Sequence, residues 1–126
     1  MMLGDYPVHS TIPAHDLERA RRFYAEKLGL SPTDETPGGL TYVSGDVTFL
    51  LYPSQGAGTA QHTVMGWSVP DIEEAVAELK SNGVKFEEYD MPGLKTVNSI
   101  AMTGPAKAAW FKDSEGNILG IIQLPD

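Results

Sequence analysis

The sequence of 126 residues contains no cysteine and no long apolar run. Without cysteine the chain cannot form disulfides or thiolate-based zinc sites, so any metal site must use histidine and carboxylate side chains. No apolar stretch approaches the roughly 20 residues of a membrane-spanning helix. Residues 1–10 have neither the basic region nor the hydrophobic region of a signal peptide. We therefore expect a soluble, cytoplasmic protein without a membrane partner.

Positive charge is also scarce. Nine Lys and Arg residues stand against 17 Asp and Glu residues, which gives a formal net charge of -8. This charge argues against nucleic acid as a partner, because phosphates would be repelled, and it mildly favours neutral or cationic ligands. A hydrophobic content of 41% in 126 residues supports one core rather than two large independent ones. Any two halves should therefore share an interface or pair with a second chain, and we expect a homodimer.

What the sequence does contain is an internal repeat at a spacing of 55 residues. Five positions of the first half, His9, Ile12, Asp16, Leu17 and Ala20, align with Val64, Trp67, Asp71, Ile72 and Ala75. The repeat predicts one structural module used twice. We place the first module at residues 1–55, a linker of small residues at 56–61, and the second module at 62–126.

Hydrophobic periodicity predicts a strand, a helix and further strands in the first module. A strand at 8–12 precedes a helix that is capped by Asp16 and ends at Gly29, where the left-handed conformation is expected. Strands follow at 40–43 and 46–52. The first module therefore reads as β, α, β, β, with room for one more short strand.

The second module follows the same plan. A strand at 63–69 precedes a helix that begins with a capping box of Asp71 and Glu74 and continues to Lys80. The remaining strands are predicted at 84–89, 108–112 and 118–124. Residues 91–105 form the longest irregular stretch, and loops of this length are often binding lids.

Several motifs together resemble the vicinal oxygen chelate superfamily, which includes glyoxalase I, extradiol dioxygenases, epimerases, fosfomycin-modifying enzymes and bleomycin resistance proteins. The motifs are His9 in the first strand, Asp16-Leu17-x-x-Ala20-x-x-Phe23-Tyr24, Leu28-Gly29-Leu30, and Phe111-Lys112-Asp113-Ser114-Glu115-Gly116-Asn117. The resemblance covers essentially the whole chain. It implies an α+β fold in which two βαβββ modules form a cupped mixed sheet, the glyoxalase/bleomycin resistance-like fold. It does not fix the reaction, because the same scaffold serves metalloenzymes and metal-free drug binders.

The resemblance also implies four metal-ligand positions that point into the cup. These are His9 and Val64 in the first strands, and Phe49 and Gly120 in the last strands. Three of the four are not ligands, whereas a divalent ion needs about three protein groups. We therefore predict no metal and no other cofactor. The alternative is a divalent metal held by His9 and His62, since His62 lies two residues before Val64.

Strand alternation then gives the lining of the cup. The residues predicted to bind the ligand are His9, Thr11, Phe49, Leu51, Val64, Gly66, Ser68, Gly120 and Ile122, and Val47 and Ile118 complete the lining. Phe49 offers a ring for stacking, and the two glycines leave space for a ligand. Trp67 is expected on the opposite face under a helix. The pattern leaves open whether Trp110 or Phe111 faces the cup.

The predicted function is metal-independent binding of a hydrophobic or aromatic small molecule in the cup, which amounts to sequestration of the bleomycin resistance type. The alternative is a glyoxalase-superfamily enzyme of the lyase, isomerase or dioxygenase type, in which His9 is a metal ligand or a catalytic general base. The sequence names neither the ligand nor a reaction. It also leaves open whether the modules pair within one chain or across a dimer.

Overall fold

The computed structural model describes residues 2–126. A short 3-10 turn at Leu3–Asp5 comes first. The first module then contains β1 (Ser10–Ala14), α1 (Leu17–Leu28), β2 (Asp34–Thr36), β3 (Gly39–Ser44) and β4 (Val47–Pro53). The second module contains β5 (Thr63–Ser68), α2 (Ile72–Ser81), β6 (Asp90–Met91), β7 (Leu94–Val97), β8 (Ile100–Thr103), β9 (Ala106–Lys112) and β10 (Ile118–Gln123).

The second sheet repeats the strand order of the first and adds two strands, β6 and β7, at its edge. The first sheet has the order β1-β4-β3-β2, and the second has the order β5-β10-β9-β8-β7-β6. In each sheet the first strand of the module runs parallel to its last strand, and the remaining neighbours are antiparallel. The prediction of an α+β fold with mixed sheets is therefore confirmed. Neither helix among the described residues is long and apolar enough to cross a membrane.

The helix boundaries follow the capping signals in the sequence. The carboxylate of Asp16 accepts a hydrogen bond from the backbone N–H of Arg19 at 3.0 Å. Gly29 adopts the left-handed conformation with φ of 72°, which ends α1 as predicted. In the second module Asp71 accepts from the backbone N–H of Glu74 at 3.1 Å. Both helix predictions are confirmed to within one residue.

Two predictions about the second module are wrong. Residues 84–89 do not form a strand, since Phe86 makes only an isolated bridge to Phe111. Residues 91–105 are not irregular, because they form β6, β7 and β8. The β7–β8 hairpin turns at Asn98 and Ser99, whose φ angles of 52° and 75° are left-handed although neither is glycine. The carboxylate of Glu88 accepts hydrogen bonds from the backbone and hydroxyl groups of Ser99 at 3.2 and 2.8 Å, which supports this uncommon turn.

One hydrophobic core spans both modules and lies on the helix-facing side of both sheets. Its members in the first module include Ile12, Tyr24, Leu40, Tyr42, Phe49 and Leu51, and those in the second include Ile72, Val76, Phe86, Phe111, Leu119 and Ile121. The opposite side of each sheet carries no helix, and we call it the open face.

The turn between β9 and β10 joins the second module to the first. The hydroxyl of Tyr24 in α1 donates to the buried carboxylate of Asp113 at 2.9 Å. The side-chain amide of Asn117 donates to the carbonyl oxygen of Pro13 at 2.8 Å. Glu115 accepts two hydrogen bonds from the guanidinium of Arg19, at 2.8 and 2.9 Å. These bonds connect groups about 90 to 100 residues apart in the chain.

Glu115 is the charged centre of this connection. Its side chain is 0% exposed, and its carboxylate also accepts from the backbone N–H of Asp16 at 2.8 Å. Burial by itself would raise the pKa of Glu115. The hydrogen bonds from Arg19, Asp16 and Ser114 together outweigh burial and lower the pKa from 4.5 to about 2.

We predict that Glu115→Gln destabilises the protein by about 2–3 kcal/mol at pH 7, because it removes charge-assisted hydrogen bonds from a buried acceptor. Folding lowers the pKa of Glu115, so its contribution is complete above pH 4.5 and is lost as the pH falls toward about 2. The difference between wild type and variant should therefore shrink across this interval. Urea denaturation at several pH values measures it.

Glu35→Gln is the matched control. Glu35 pairs with Arg21 at 3.0 Å, but its side chain is 60% exposed, so its loss should cost less than about 1 kcal/mol. Equal destabilisation by the two substitutions would contradict the role assigned to Glu115.

Candidate functional site

The first strand presents its predicted site residues on the open face. Ile12 and Ala14 are buried on the helix side of β1. Because side chains alternate along a strand, Thr11 lies on the open face, and His9, one residue before the strand, is exposed on the same side. Within residues 2–126 the ring of His9 makes no hydrogen bond. No neighbour therefore fixes its orientation.

The predicted faces of β4 are wrong by one residue. Phe49 and Leu51 are 4% and 0% exposed and belong to the core. The ring of Phe49 stacks on Tyr42 at a centroid distance of 4.9 Å and contacts Tyr24 of α1 at 6.2 Å. Val47 lies on the same side as Phe49. Apolar residues occupy both faces of β4, so the alternation of hydrophobic residues could not select the buried face.

The pairing of the strands corrects one ligand position as well. Thr11 pairs with Leu50 in the first sheet, and Gly66, which lies 55 residues after Thr11, pairs with Gly120 in the second. Leu50, and not Phe49, is therefore the counterpart of Gly120. Leucine cannot bind a metal either, so this correction does not add a ligand.

The open face of the second sheet carries most of the other predicted residues. Leu119 and Ile121 are buried under α2, so Ile118, Gly120 and Ile122 lie on the open face, and Gly66 and Ser68 pair beside them. Val64 lies at a register shift in this pairing and packs against the core, so it is not part of the regular open face.

Trp110 is the main residue that the sequence left unresolved. Phe111 pairs with Leu119 and contacts Phe86 in the core, so the neighbouring Trp110 lies on the open face beside Gly120. A Cβ atom at Gly120 would lie 3.4 Å from Cδ1 of Trp110. The indole therefore covers the position where a side chain at residue 120 would start. Tyr89 contacts the ring of Trp110 edge-on at 5.7 Å.

A groove of about 470 Å³ opens where the two sheets meet, and we call it the inter-sheet groove. It is lined by Ser10, Ser44, Gly45, Val47, Phe49, Met65, Gly66, Trp67 and Ser68. Three predicted ligand-binding residues, Phe49, Gly66 and Ser68, thus border one cavity. His9, Thr11, Val64, Gly120 and Ile122 lie outside it, and Leu51 is in the core. Trp67 lies on the helix side as expected, and its indole N–H donates to Ser44 at 3.2 Å.

The donor set does not fit a divalent metal. The four strand positions hold His9, Leu50, Val64 and Gly120, so one side chain of the four can bind an ion. Across residues 2–126, no group of three or more His, Cys, Asp or Glu side chains could hold a metal ion. His62 is exposed one residue before β5 and adds at most one nitrogen. The residues present therefore do not fit the divalent ion of the metalloenzymes of this fold.

Comparisons with known proteins agree with this fold. Residues 7–121 match the family model of the Glyoxalase/Bleomycin resistance protein/Dioxygenase superfamily. No protein of curated function matches the sequence. The solved structure of UcmS2 is similar with a TM-score of 0.72 at 21% identity, covering 93% of this chain and 96% of that one. A glyoxalase/bleomycin resistance protein/dioxygenase from Alicyclobacillus acidocaldarius has a TM-score of 0.70 at 20% identity, covering 100% and 96%.

A lactoylglutathione lyase from Agrobacterium tumefaciens has a TM-score of 0.66 at 17% identity, covering 94% of this chain and 92% of that one. At these identities the similarity of the structures shows the fold alone. The activity in that protein's name is not carried over to this chain.

We predict that Gly120→Ala destabilises the protein by about 1–2 kcal/mol, because the new Cβ would overpack a filled site. That atom would lie 3.3 Å from Cγ2 of Thr63 and 3.4 Å from Trp110. The cost should be smaller when Trp110→Ala is also present, since that substitution removes one of the two contacts. A double-mutant cycle measures the difference. Denaturant unfolding of the four proteins measures the coupling.

Gly4→Ala serves as the control, because a Cβ there meets nothing within 4 Å. Full additivity of Gly120→Ala and Trp110→Ala would show that the indole does not cover residue 120.

Proposed function

This chain belongs to the Glyoxalase/Bleomycin resistance protein/Dioxygenase superfamily, and we propose that it binds a hydrophobic or aromatic small molecule without a metal. The ligand would lie on the open face of the second sheet and extend into the inter-sheet groove. The main support for this proposal is that Gly120 occupies one of the metal-ligand positions of the fold. The indole of Trp110 lies over this glycine. An aromatic surface thus stands where a metalloenzyme of this fold needs a donor.

The chemistry of this surface suits a planar ligand. Trp110 is half-buried and is held edge-on by Tyr89, so one aromatic ring is fixed before a ligand arrives. Gly66 and Gly120 pair with each other and add no side chain above the sheet. Ser68 and Ser10 supply hydroxyl groups at the groove for orienting hydrogen bonds.

The enzyme alternative has less support. His9 is exposed on the open face, where it could act as a general base, but within residues 2–126 no side chain hydrogen-bonds to its ring. A general base in this fold would need an orienting partner and a substrate position close to it. Binding without transformation requires neither.

Proflavine, a planar cation, is a suitable probe because the chain has a formal charge of -8. We predict saturable binding that Trp110→Ala weakens about tenfold, which corresponds to about 1.4 kcal/mol of lost stacking and contact. Trp110→Phe should retain most of the affinity because a ring remains. The control is Tyr6→Ala, which removes an exposed aromatic side chain before β1. Fluorescence titration gives the affinities.

The same titration tests metal independence. Affinity should be equal in protein treated with EDTA and in protein supplied with Zn²⁺. Binding that EDTA abolishes and Zn²⁺ restores would contradict the proposal, and so would a Trp110→Ala variant that binds proflavine like wild type.

We further propose that two copies of the chain pair through their open faces. On the first sheet this face presents Leu50 and Tyr52, which are half-buried, and Val43, which is 47% exposed. Among residues 2–126 neither helix covers them, because both helices lie on the other side. A second chain would cover this face. The ligand would then be enclosed between the first sheet of one copy and the second sheet of the other.

We expect light scattering at low micromolar concentration to give twice the chain mass of 13.6 kDa. Val43→Lys should shift the protein toward monomer, because it places a charge in the buried interface. Val97→Lys is the control, since Val97 is 64% exposed on β7, away from the first sheet. A wild-type monomer whose mass proflavine does not change would leave the open faces unpaired and contradict the dimer.

A further inference from the structure

A second cavity, of about 250 Å³, lies between the modules on the helix side. We call it the inter-module pocket. Its walls include Leu28 and Leu30 at the end of α1, Leu79 of α2, Trp67 of β5 and Phe111 of β9. Leu28, Leu30, Leu79 and Trp67 are only partly buried although they pack against the core. The modules therefore meet around an apolar space that their own side chains do not fill.

Trp67 forms one wall of this pocket, and its ring is held in place by a hydrogen bond. The indole N–H of Trp67 donates to the hydroxyl oxygen of Ser44 at 3.2 Å, and this bond joins the second module to the end of β3 in the first. Trp67 and Ser44 also border the inter-sheet groove. The indole thus separates the two cavities, and its hydrogen bond holds the ring in place before any ligand arrives. A fixed apolar wall reduces the entropic cost of binding.

The size of the pocket limits its occupant. An apolar cavity of roughly 150 Å³ accepts a benzene molecule. A space of about 250 Å³ therefore accommodates one aromatic ring with a short chain. A larger polycyclic ligand, of the kind that suits the open face, would not fit.

One charged side chain lines the pocket. Glu78 of α2 is exposed, and among residues 2–126 it makes no ion pair. Lys27, near the end of α1, extends over Gly83, where a Cβ would lie 2.7 Å from its Nζ. An unpaired carboxylate beside apolar walls favours a ligand that carries a cationic group on an apolar body.

We propose that the inter-module pocket binds a small arylalkyl ammonium ion, with its ring among Leu28, Leu79 and Trp67 and its ammonium group at Glu78. This pocket shares Trp67 and Ser44 with the inter-sheet groove but does not include Trp110, and the proposal does not depend on the function proposed for the open face. Its ligand is smaller, and its contacts come from the helix side of the sheets.

The test uses 2-phenylethylammonium as the probe and isothermal titration calorimetry as the readout. Ala75 lines the pocket, so Ala75→Leu should fill it and weaken binding at least tenfold. Ala77→Leu is the matched control, because Ala77 is exposed on the same helix and does not line the pocket; its affinity should stay within twofold of wild type. Glu78→Gln should weaken binding of 2-phenylethylammonium several-fold and leave that of neutral 2-phenylethanol unchanged.

Tryptophan fluorescence gives a second readout that does not depend on Ala75→Leu folding. In Trp110→Phe protein, Trp67 is the remaining tryptophan, and its emission should change saturably with the probe. Absence of saturable binding, unchanged Trp67 emission, or equal weakening by Ala75→Leu and Ala77→Leu would overturn the site. An unaltered preference for the ammonium probe in Glu78→Gln would overturn the role of the carboxylate.

Discussion

The hydrogen-bonded turn at residues 113–117 is the constraint on which the arrangement of the two modules depends. Its carboxylates and amide bind groups of α1 and β1, so the turn holds the end of the second sheet against the first helix. The carboxylates of Asp113 and Glu115 are buried, and leaving either of them without a donor would cost about 1–3 kcal/mol. These hydrogen bonds therefore stabilise the contact between the modules and also fix its geometry. An apolar contact of similar area could slide, but this network fits one relative position.

That relative position decides which surfaces become available for function. Because the turn holds α1 against the second module, the helix sides of both sheets merge into one core. Neither helix then covers the open faces of the sheets. The arrangement leaves two kinds of space: a groove where the sheets meet, and a pocket where the helix sides fail to close. Trp67 borders both cavities, and its hydrogen bond to Ser44 also joins the two modules.

The sequence predicts the fold well where the signal is local. Asp16, Gly29 and Asp71 mark helix ends through their own backbone chemistry, so their effect does not depend on the rest of the chain. The faces of β4 could not be predicted, because Leu50 and Phe49 are equally apolar and the choice between them is made by Tyr24 and Tyr42 in other elements. The β7–β8 hairpin was missed for a similar reason. Its turn lacks glycine and is held by Glu88, which lies outside the hairpin, 11 residues before Ser99.

The position of Trp110 could have been found by combining two local facts. Phe111 and Leu119 are each four residues from Glu115 at the centre of the turn, and a hairpin pairs such residues on one face. Trp110 then faces the side of Gly120. The position of Trp110 also affects whether residue 120 could bind a metal. A carboxylate at residue 120 would need the space over its Cα that the indole now occupies, 3.4 Å from where its Cβ would start.

Restoring a metal ligand at residue 120 therefore requires displacing the ring as well as changing the residue. Two further donors would still be missing at positions 50 and 64, which lie on different strands. The open face is thus separated from a metal-binding arrangement by several coupled substitutions. Each of them alone would remove packing without completing a site, so the aromatic surface and the metal site are alternative uses of the same space on this fold.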